Sequence, residues 1–198
     1  MNDIGVGPWE GPLPTEDYYD PELLANGDQR NVVDRYRYWK MEAIIADLDE
    51  RRHRFAIAIE NWQHDFNIGS VVRTANAFLV QEIVIVGKRR WNRRGAMVTD
   101  RYQHISHCED VEQFVQWAED RPIIGIDNLP GSKPIEHAQL PVDCVLVFGQ
   151  EGPGLSEPMR AVCQEVLHIA QFGSTRSINA GAAAAIAMHT WVRQHADI

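Results

Sequence analysis

Hydrophobic positions along this chain follow two rhythms that take turns. Apolar-rich runs of five or six residues occur at Phe55–Ile59, Glu82–Val86, Pro122–Ile126, Asp143–Phe148 and Glu165–Ile169. Their length and their Val/Ile content predict strands buried on both faces. Between and after them, 3.6-residue spacing predicts helices over Gly69–Leu79, Val111–Glu119, Ser156–Cys163 and Asn179–His195. Strand and helix in alternation read as an α/β domain, residues 55–198, with a mostly parallel sheet flanked by helices. Upstream the rhythm is lost. Residues 1–30 are rich in Gly, Pro, Asp and Glu and read as an irregular acidic arm. Residues 31–54 read as a helical extension, capped by Asn31 and running to about Arg52.

Three segments interrupt the apolar pattern where strands hand over to helices. Phe148-Gly149-Gln150-Glu151-Gly152-Pro153-Gly154-Leu155 follows the run Val145–Val147. Ser174-Thr175-Arg176-Ser177-Ile178-Asn179-Ala180-Gly181 opens the last helix, and Asn67-Ile68-Gly69-Ser70-Val71-Val72-Arg73-Thr74 opens an earlier one. Glycine lets backbone approach closely, and a helix start offers unpaired N–H groups, so such places hold ligands in α/β proteins. Arg73 would offer a planar donor fork for phosphate. Glu151 is placed to orient Arg73 or Asn67, or to cap the helix near Ser156. Ser177 and Asn179 share one side of an extended segment, with Ile178 on the other. In isolation these residues read first as caps or surface groups. The glycine turn lacks the Lys-Ser/Thr ending of a P-loop, which disfavours a nucleoside triphosphate. The run Ala180-Gly181-Ala182-Ala183-Ala184-Ala185 requires close backbone packing, against its own chain or a second copy.

Charge sharpens the picture. The chain of 198 residues carries a formal net charge of −9, unusual for a nucleic-acid binder. Residues 51–105, however, hold ten bases against four acids. Lys88, Arg89, Arg90, Arg93 and Arg94 surround Trp91, a mixture suited to phosphate contacts and base stacking. Cys108, Cys144 and Cys163 are few and scattered, which argues against a disulfide framework. No long uncharged apolar run and no basic, apolar leader is visible, so neither a membrane span nor secretion is expected, and the expected location is cytoplasmic. His104-Ile105-Ser106-His107-Cys108 has ligand-like spacing, but no second cluster completes a four-ligand set, so no metal is expected.

Taken together, the three segments resemble the motifs of the SpoU (TrmH-type) RNA ribose methyltransferases of the SPOUT superfamily. Asn67, Gly69, Arg73 and Thr74 match the first motif. Gly149, Glu151, Gly154 and Leu155 match the second, and Ser177-Ile178-Asn179 matches the third. The resemblance covers roughly residues 55–195. It departs at Ile169-Ala170, where the family usually has Ile-Pro, which removes a backbone constraint near the cofactor loop. It implies a methyltransferase domain with a C-terminal trefoil knot, working as a homodimer. S-adenosylmethionine would be held near Gly149, Gly154, Ile169, Ile178 and Asn128. Arg73, Asn67, Glu151, Ser177 and Asn179 would carry the catalysis, and Lys88–Arg94 would hold RNA, tRNA ahead of rRNA. Two other readings stay open: a non-catalytic RNA-binding relative, and a knotted enzyme that methylates a base.

Overall fold

The computed structural model describes residues 5–61 and 67–197. The chain divides into two compact units, Met1–Arg51 and Arg52–Ile198.

The first unit contains α1 (Pro21–Asn26) and α2 (Met41–Asp49). Asp20 caps α1, accepting from the N–H groups of Glu22 and Leu23. Asp28 is fully buried and receives Arg30 Nη2 at 2.7 Å and the Tyr38 N–H at 2.9 Å. Burial alone would raise its carboxyl pKa; the hydrogen bonds from Arg30 and from the backbone of Tyr38 and Arg30 outweigh it and hold the group at about 2. The helix expected from Asn31 to about Arg52 is a correction: α-helix is confined to Met41–Asp49. Tyr38 sits at φ 62°, which interrupts any helix. Trp39 is instead drawn into a bridge with Tyr19 and a ring contact with Tyr18 at 4.2 Å. Local propensity there yields to aromatic packing.

The second unit is built on a sheet of β1 (Ala56–Asn61), β2 (Ile83–Gly87), β3 (Ile105–Cys108), β4 (Ile123–Ile126), β5 (Lys133–Pro134), β6 (Val145–Phe148) and β7 (Glu165–His168). Their spatial order is β3-β2-β1-β6-β4-β7-β5, and every pairing is parallel. The helices are α3 (Ile68–Ala77), α4 (Val111–Ala118), α5 (Glu157–Val162) and α6 (Ala180–His195). Strand period decides which helix meets which face. Ile57, Ile59, Ile83, Ile85, Leu146 and Phe148 pack in one core with residues of α3 and α6. Ala56, Ala58, Val84, Val86, Val145 and Val147 pack in a second core with Phe114 of α4 and Met159 of α5. All five expected strands and four expected helices of this unit are present. The short edge strands β3 and β5 carry too little apolar pattern to be read beforehand.

Helix α6 resolves where the alanine run packs. Ala184 and Ala187 are fully buried in the core shared with α3. The far end of α6 is anchored by Trp191, stacked on Phe55 at 4.3 Å, with its Nε1 donating to Pro141 O at 3.1 Å.

Candidate functional site

The parallel sheet sends the C-terminal ends of β6, β4 and β7, three neighbouring strands, to one edge. A cavity of about 300 Å³ opens there. Its walls come from Ile126–Asn128 after β4, Phe148–Gly152 and Gly154 after β6, His168, Ile169 and Gln171 at the end of β7, and Ser177–Ala180 with Ala183 at the start of α6. Ligand position at strand C-termini is the general rule for open α/β sheets.

The glycine loop is closed on itself. Gln150 and Gly154 exchange backbone hydrogen bonds at 2.9 and 3.1 Å. A Cβ at Gly149 would lie 2.2 Å from the Gly154 carbonyl carbon, and Gly154 itself has φ +70°, so both positions require glycine. Asp127 supports the same loop, accepting the Leu155 N–H at 2.8 Å. Behind it the fully buried Glu60 accepts the Ser156 N–H at 2.8 Å. Neither carboxylate stands out in the sequence; an acid at the end of a buried strand is the only signal available.

Beside the cavity three distant parts of the chain meet. Asn67 Nδ2 donates to Glu151 Oε2 at 2.6 Å. Asn179 Nδ2 donates to Asn67 Oδ1 at 2.9 Å, while Asn179 Oδ1 accepts from the Gly181 and Ala182 N–H groups that open α6. Glu151 is therefore tied to Asn67, and the helix near Ser156 is capped by Ser156's own hydroxyl instead. Ser177 and Ile178 line the cavity. Asn128 does so too, with its Nδ2 held by Arg176 O at 3.0 Å. Arg73 stands apart from this chain of contacts. It lies exposed on α3, two turns from Asn67, and makes no ion pair among the described residues.

The departure at Ala170 has a physical account. Its N–H donates to Glu136 Oε1 at 3.0 Å, a bond that proline could not make. Ile169 and Gln171, on either side, line the cavity. A carboxylate thus restrains the segment where a ring would otherwise do so. His168, another wall residue, has Nδ1 2.9 Å from Ser132 Oγ. That hydroxyl sits 2.6 Å from Leu129 O, which takes its single proton, so His168 donates to it through Nδ1–H.

The basic stretch lies past β2. Lys88, Arg89, Arg90, Arg93 and Arg94 are all exposed, while Trp91 packs against the core. Asn61 pins the loop, its Nδ2 donating to Lys88 O at 2.6 Å and Arg90 O at 3.0 Å. Arg93 lies over the Trp91 ring, 5.5 Å from its centroid, and 3.4 Å from Asp100. A second cavity, of about 420 Å³, is lined by Arg89, Trp91, Arg93, Asp100, Gln103 and His107 among others. The loop continues onto the start of α3: a Cβ at Gly69 would lie 2.8 Å from Ala96 N and 2.9 Å from Asn92 O. Of the histidines considered as metal ligands, His107 bonds Gly87 O through Nε2 at 2.7 Å.

Among the described residues no helix is long and apolar enough to cross a membrane. All three cysteines are free, and burial pushes Cys144 and Cys163 up to about 12.

Known proteins place this geometry. A Mycobacterium ulcerans protein described as an uncharacterized tRNA/rRNA methyltransferase is 28% identical over 179 residues, covering 82% of this chain and 54% of its own length. The chain spans about half the length of that relative. Bacillus subtilis YacO, described as a putative TrmH family tRNA/rRNA methyltransferase, is 23% identical over 192 residues, 87% of this chain and 74% of that protein. Among solved structures, the A. aeolicus TrmH/SpoU tRNA modifying enzyme superposes with a TM-score of 0.68 at 19% identity, covering 78% of this chain and 81% of that one. The SpoU methyltransferase AviRb of Streptomyces viridochromogenes, in complex with the cofactor AdoMet, gives 0.65 at 23% identity, over 75% and 60% of the two chains. These likenesses show a shared fold over about three quarters of the chain. The model of the SpoU rRNA Methylase family matches residues 54–189, the whole span that carries Asn67, Glu151 and Asn179, and the chain belongs to that family.

Proposed function

We propose that the chain transfers a methyl group from S-adenosylmethionine to a ribose 2′-hydroxyl of RNA. The observation that carries this reading is the hydrogen-bonded line Asn179–Asn67–Glu151, which draws residues 84 and 112 positions apart in sequence to the rim of one cavity. Among the relatives, AviRb is a methyltransferase solved with AdoMet, and YacO is described as a tRNA/rRNA methyltransferase.

The cavity suits that donor. Ile126, Phe148, Ile169 and Ile178 offer apolar walls for a flat heterocycle. Gly149, Gly154 and Asn128 would shape the rest of the holder. Bound there, the donor supplies a methyl group already activated on a sulfonium, so the chain's task is alignment and charge control. Glu151 and Asn179 hold Asn67, and Asn67 with Ser177 would orient the ribose. Arg73 would grip the adjacent phosphate and stabilise the developing alkoxide; a guanidinium has only donors and no lone pair for the proton, which passes to phosphate or solvent. Lys88, Arg89, Arg90, Arg93 and Arg94 would hold the RNA backbone, with the second cavity beside Trp91 taking part. The tight seam between the loop of residues 92–96 and α3 would carry that grip to Asn67.

The same proposal includes a C-terminal trefoil threading, a homodimer and a cytoplasmic location. An outward stripe of α6, with Ala182, Ile186 and His189 exposed, together with a fully exposed Phe172, supports a second copy. The three free thiols support a reducing compartment. The test is transfer of labelled methyl to unmodified total tRNA and, separately, rRNA, followed by nucleoside identification; tRNA is the first pool to try. A 2′-O-methylated nucleoside is expected, reduced roughly hundredfold or more by Arg73→Ala. A methylated base, or full transfer by the variant, overturns the assignment.

A further inference from the structure

The cavity beside the basic loop contains a group that phosphate gripping does not explain. Its volume, about 420 Å³, is in the range of small-molecule sites. Arg89, Trp91 and Arg93 form part of its wall, and so does Asp100. A carboxylate repels phosphate, so its place among arginines needs a separate reason. Other polar groups of the wall are engaged within the fold. Gln103 Nε2 donates to Asn76 Oδ1 at 3.1 Å, and His107 Nε2 donates to Gly87 O at 2.7 Å. Asp100 has one side-chain partner among the described residues, Arg93 Nη1 at 3.4 Å. That is long for a charge-assisted bond, and the Arg93 side chain is 73% exposed, so the pair is weak and easily displaced.

The turn that delivers Asp100 is strained. Met97 and Val98 lie at φ 48° and 70°, the left-handed region, which a β-branched residue rarely enters. Thr99 Oγ1 fixes the turn by donating to Ala96 O at 2.6 Å. Strain of this kind gathers at ligand-binding and switch segments.

We propose that this cavity takes one unpaired guanine nucleotide of the RNA, distinct from the nucleotide that is methylated. Its base stacks on Trp91, its N1–H and 2-amino groups donate to the Asp100 carboxylate, and Arg89 meets its phosphate. The proposal rests on the RNA reading above. Single-stranded RNA is read by such stacking together with hydrogen bonds to the base edge. Arg93, 5.5 Å from the Trp91 ring centroid, is the group that the base would displace. The carboxylate then selects among bases. It offers acceptors alone, and guanine presents two neighbouring N–H donors. Adenine and cytosine set a ring-nitrogen lone pair beside their amine, and uracil flanks its single N–H with carbonyls. The spacing suits a nearby nucleotide of the same strand. Strand β2 lies three places from β4 in the sheet, about 14 Å from the donor cavity's edge.

The experiment is fluorescence anisotropy of end-labelled pentauridylate and of its variants with a central guanosine, inosine or adenosine, titrated with the intact chain. Wild type is expected to bind the guanosine probe roughly tenfold more tightly than the adenosine or all-uridine probes. Inosine, which lacks the 2-amino group, should fall between. Asp100→Asn sets a donor beside an acceptor, the match for adenine, and should move the preference from guanosine to adenosine. Asp100→Ala should bind pentauridylate more tightly, having lost a negative charge, and the guanosine probe more weakly. Both variants should melt at the wild-type temperature. A carboxylate that merely steadies Arg93 would shift all four probes in one direction. That result, or a wild type indifferent to the central base, overturns the guanine site and leaves methyl transfer to RNA standing. Absence of binding to every probe also overturns the site; joined with no methyl transfer to either RNA pool, it overturns the RNA reading as well.

Discussion

At the scale of single residues, Asn67 is the joint of the site. Its amide donates to Glu151 and accepts from Asn179, so one small side chain sets the distance between two loops and a helix start. Asn67→Asp would place a second carboxylate against Glu151 at hydrogen-bond distance, and the repulsion would open the joint. We expect methyl transfer by Asn67→Asp to fall at least roughly tenfold, while S-adenosylhomocysteine binding stays within about twofold; calorimetry beside the transfer assay reads both. Gly149 behaves in the opposite way. A Cβ there would press into backbone at 2.2 Å, so Gly149→Ala should lose donor binding together with activity. An unimpaired Gly149→Ala variant would show that the loop can open without cost to the cavity. The sequence marks both residues by motif but leaves Glu151 undecided among three partners. Only contact across 84 positions selects Asn67.

At the scale of elements, the parallel sheet is legible because each central strand is apolar on both faces. The cap of the last helix is legible because Asn179 precedes a long alanine run. What misleads is the segment after Asn31, where helical spacing is real but tertiary contacts of Trp39 and the left-handed Tyr38 prevail. That first unit carries its own pH dependence. Asp28 titrates at about 2 when folded against an ordinary 3.8, so its contribution, about 2 kcal/mol, is fully present above pH 4 and is lost as pH falls toward 2. Near-ultraviolet circular dichroism should show the aromatic signal of this unit fading through that window. Asp28→Asn should weaken the signal at neutral pH and flatten the acid transition. The basic loop shows the same logic at another element: the five exposed cations are readable as a run, but their anchoring by Asn61 and their seam with α3 are not.

For the whole molecule, the net charge of −9 and the local basic stretch make opposite demands on an RNA partner. If Lys88–Arg94 is the main grip, binding should weaken steeply with salt, and replacing Arg89 and Arg90 by Ala should reduce the slope by roughly one to two while sparing the donor site. A filter-binding series over salt concentration measures this directly. Assembly has its own signature. Phe172 is 97% exposed, and Ile186 is 41% exposed on the outward stripe of α6. Ile186→Glu should convert a dimer to monomer in light scattering without changing the melting of the monomeric fold; a wild-type monomer at all concentrations would remove the dimer from the proposal.

By itself the sequence determines the class of fold, the order of the central strands and their helices, and the family, because these depend on local periodicity and on short motifs. Hydrophobic period sets strand against helix, and glycine beside a strand end marks where a ligand can approach. It does not determine which carboxylate meets which amide, or that Ala170 is restrained by Glu136. Those outcomes are decided by the tertiary structure. They follow from contacts between segments tens of residues apart, created when parallel strands bring three loops to one edge of the sheet, and no local pattern encodes a distance across that edge.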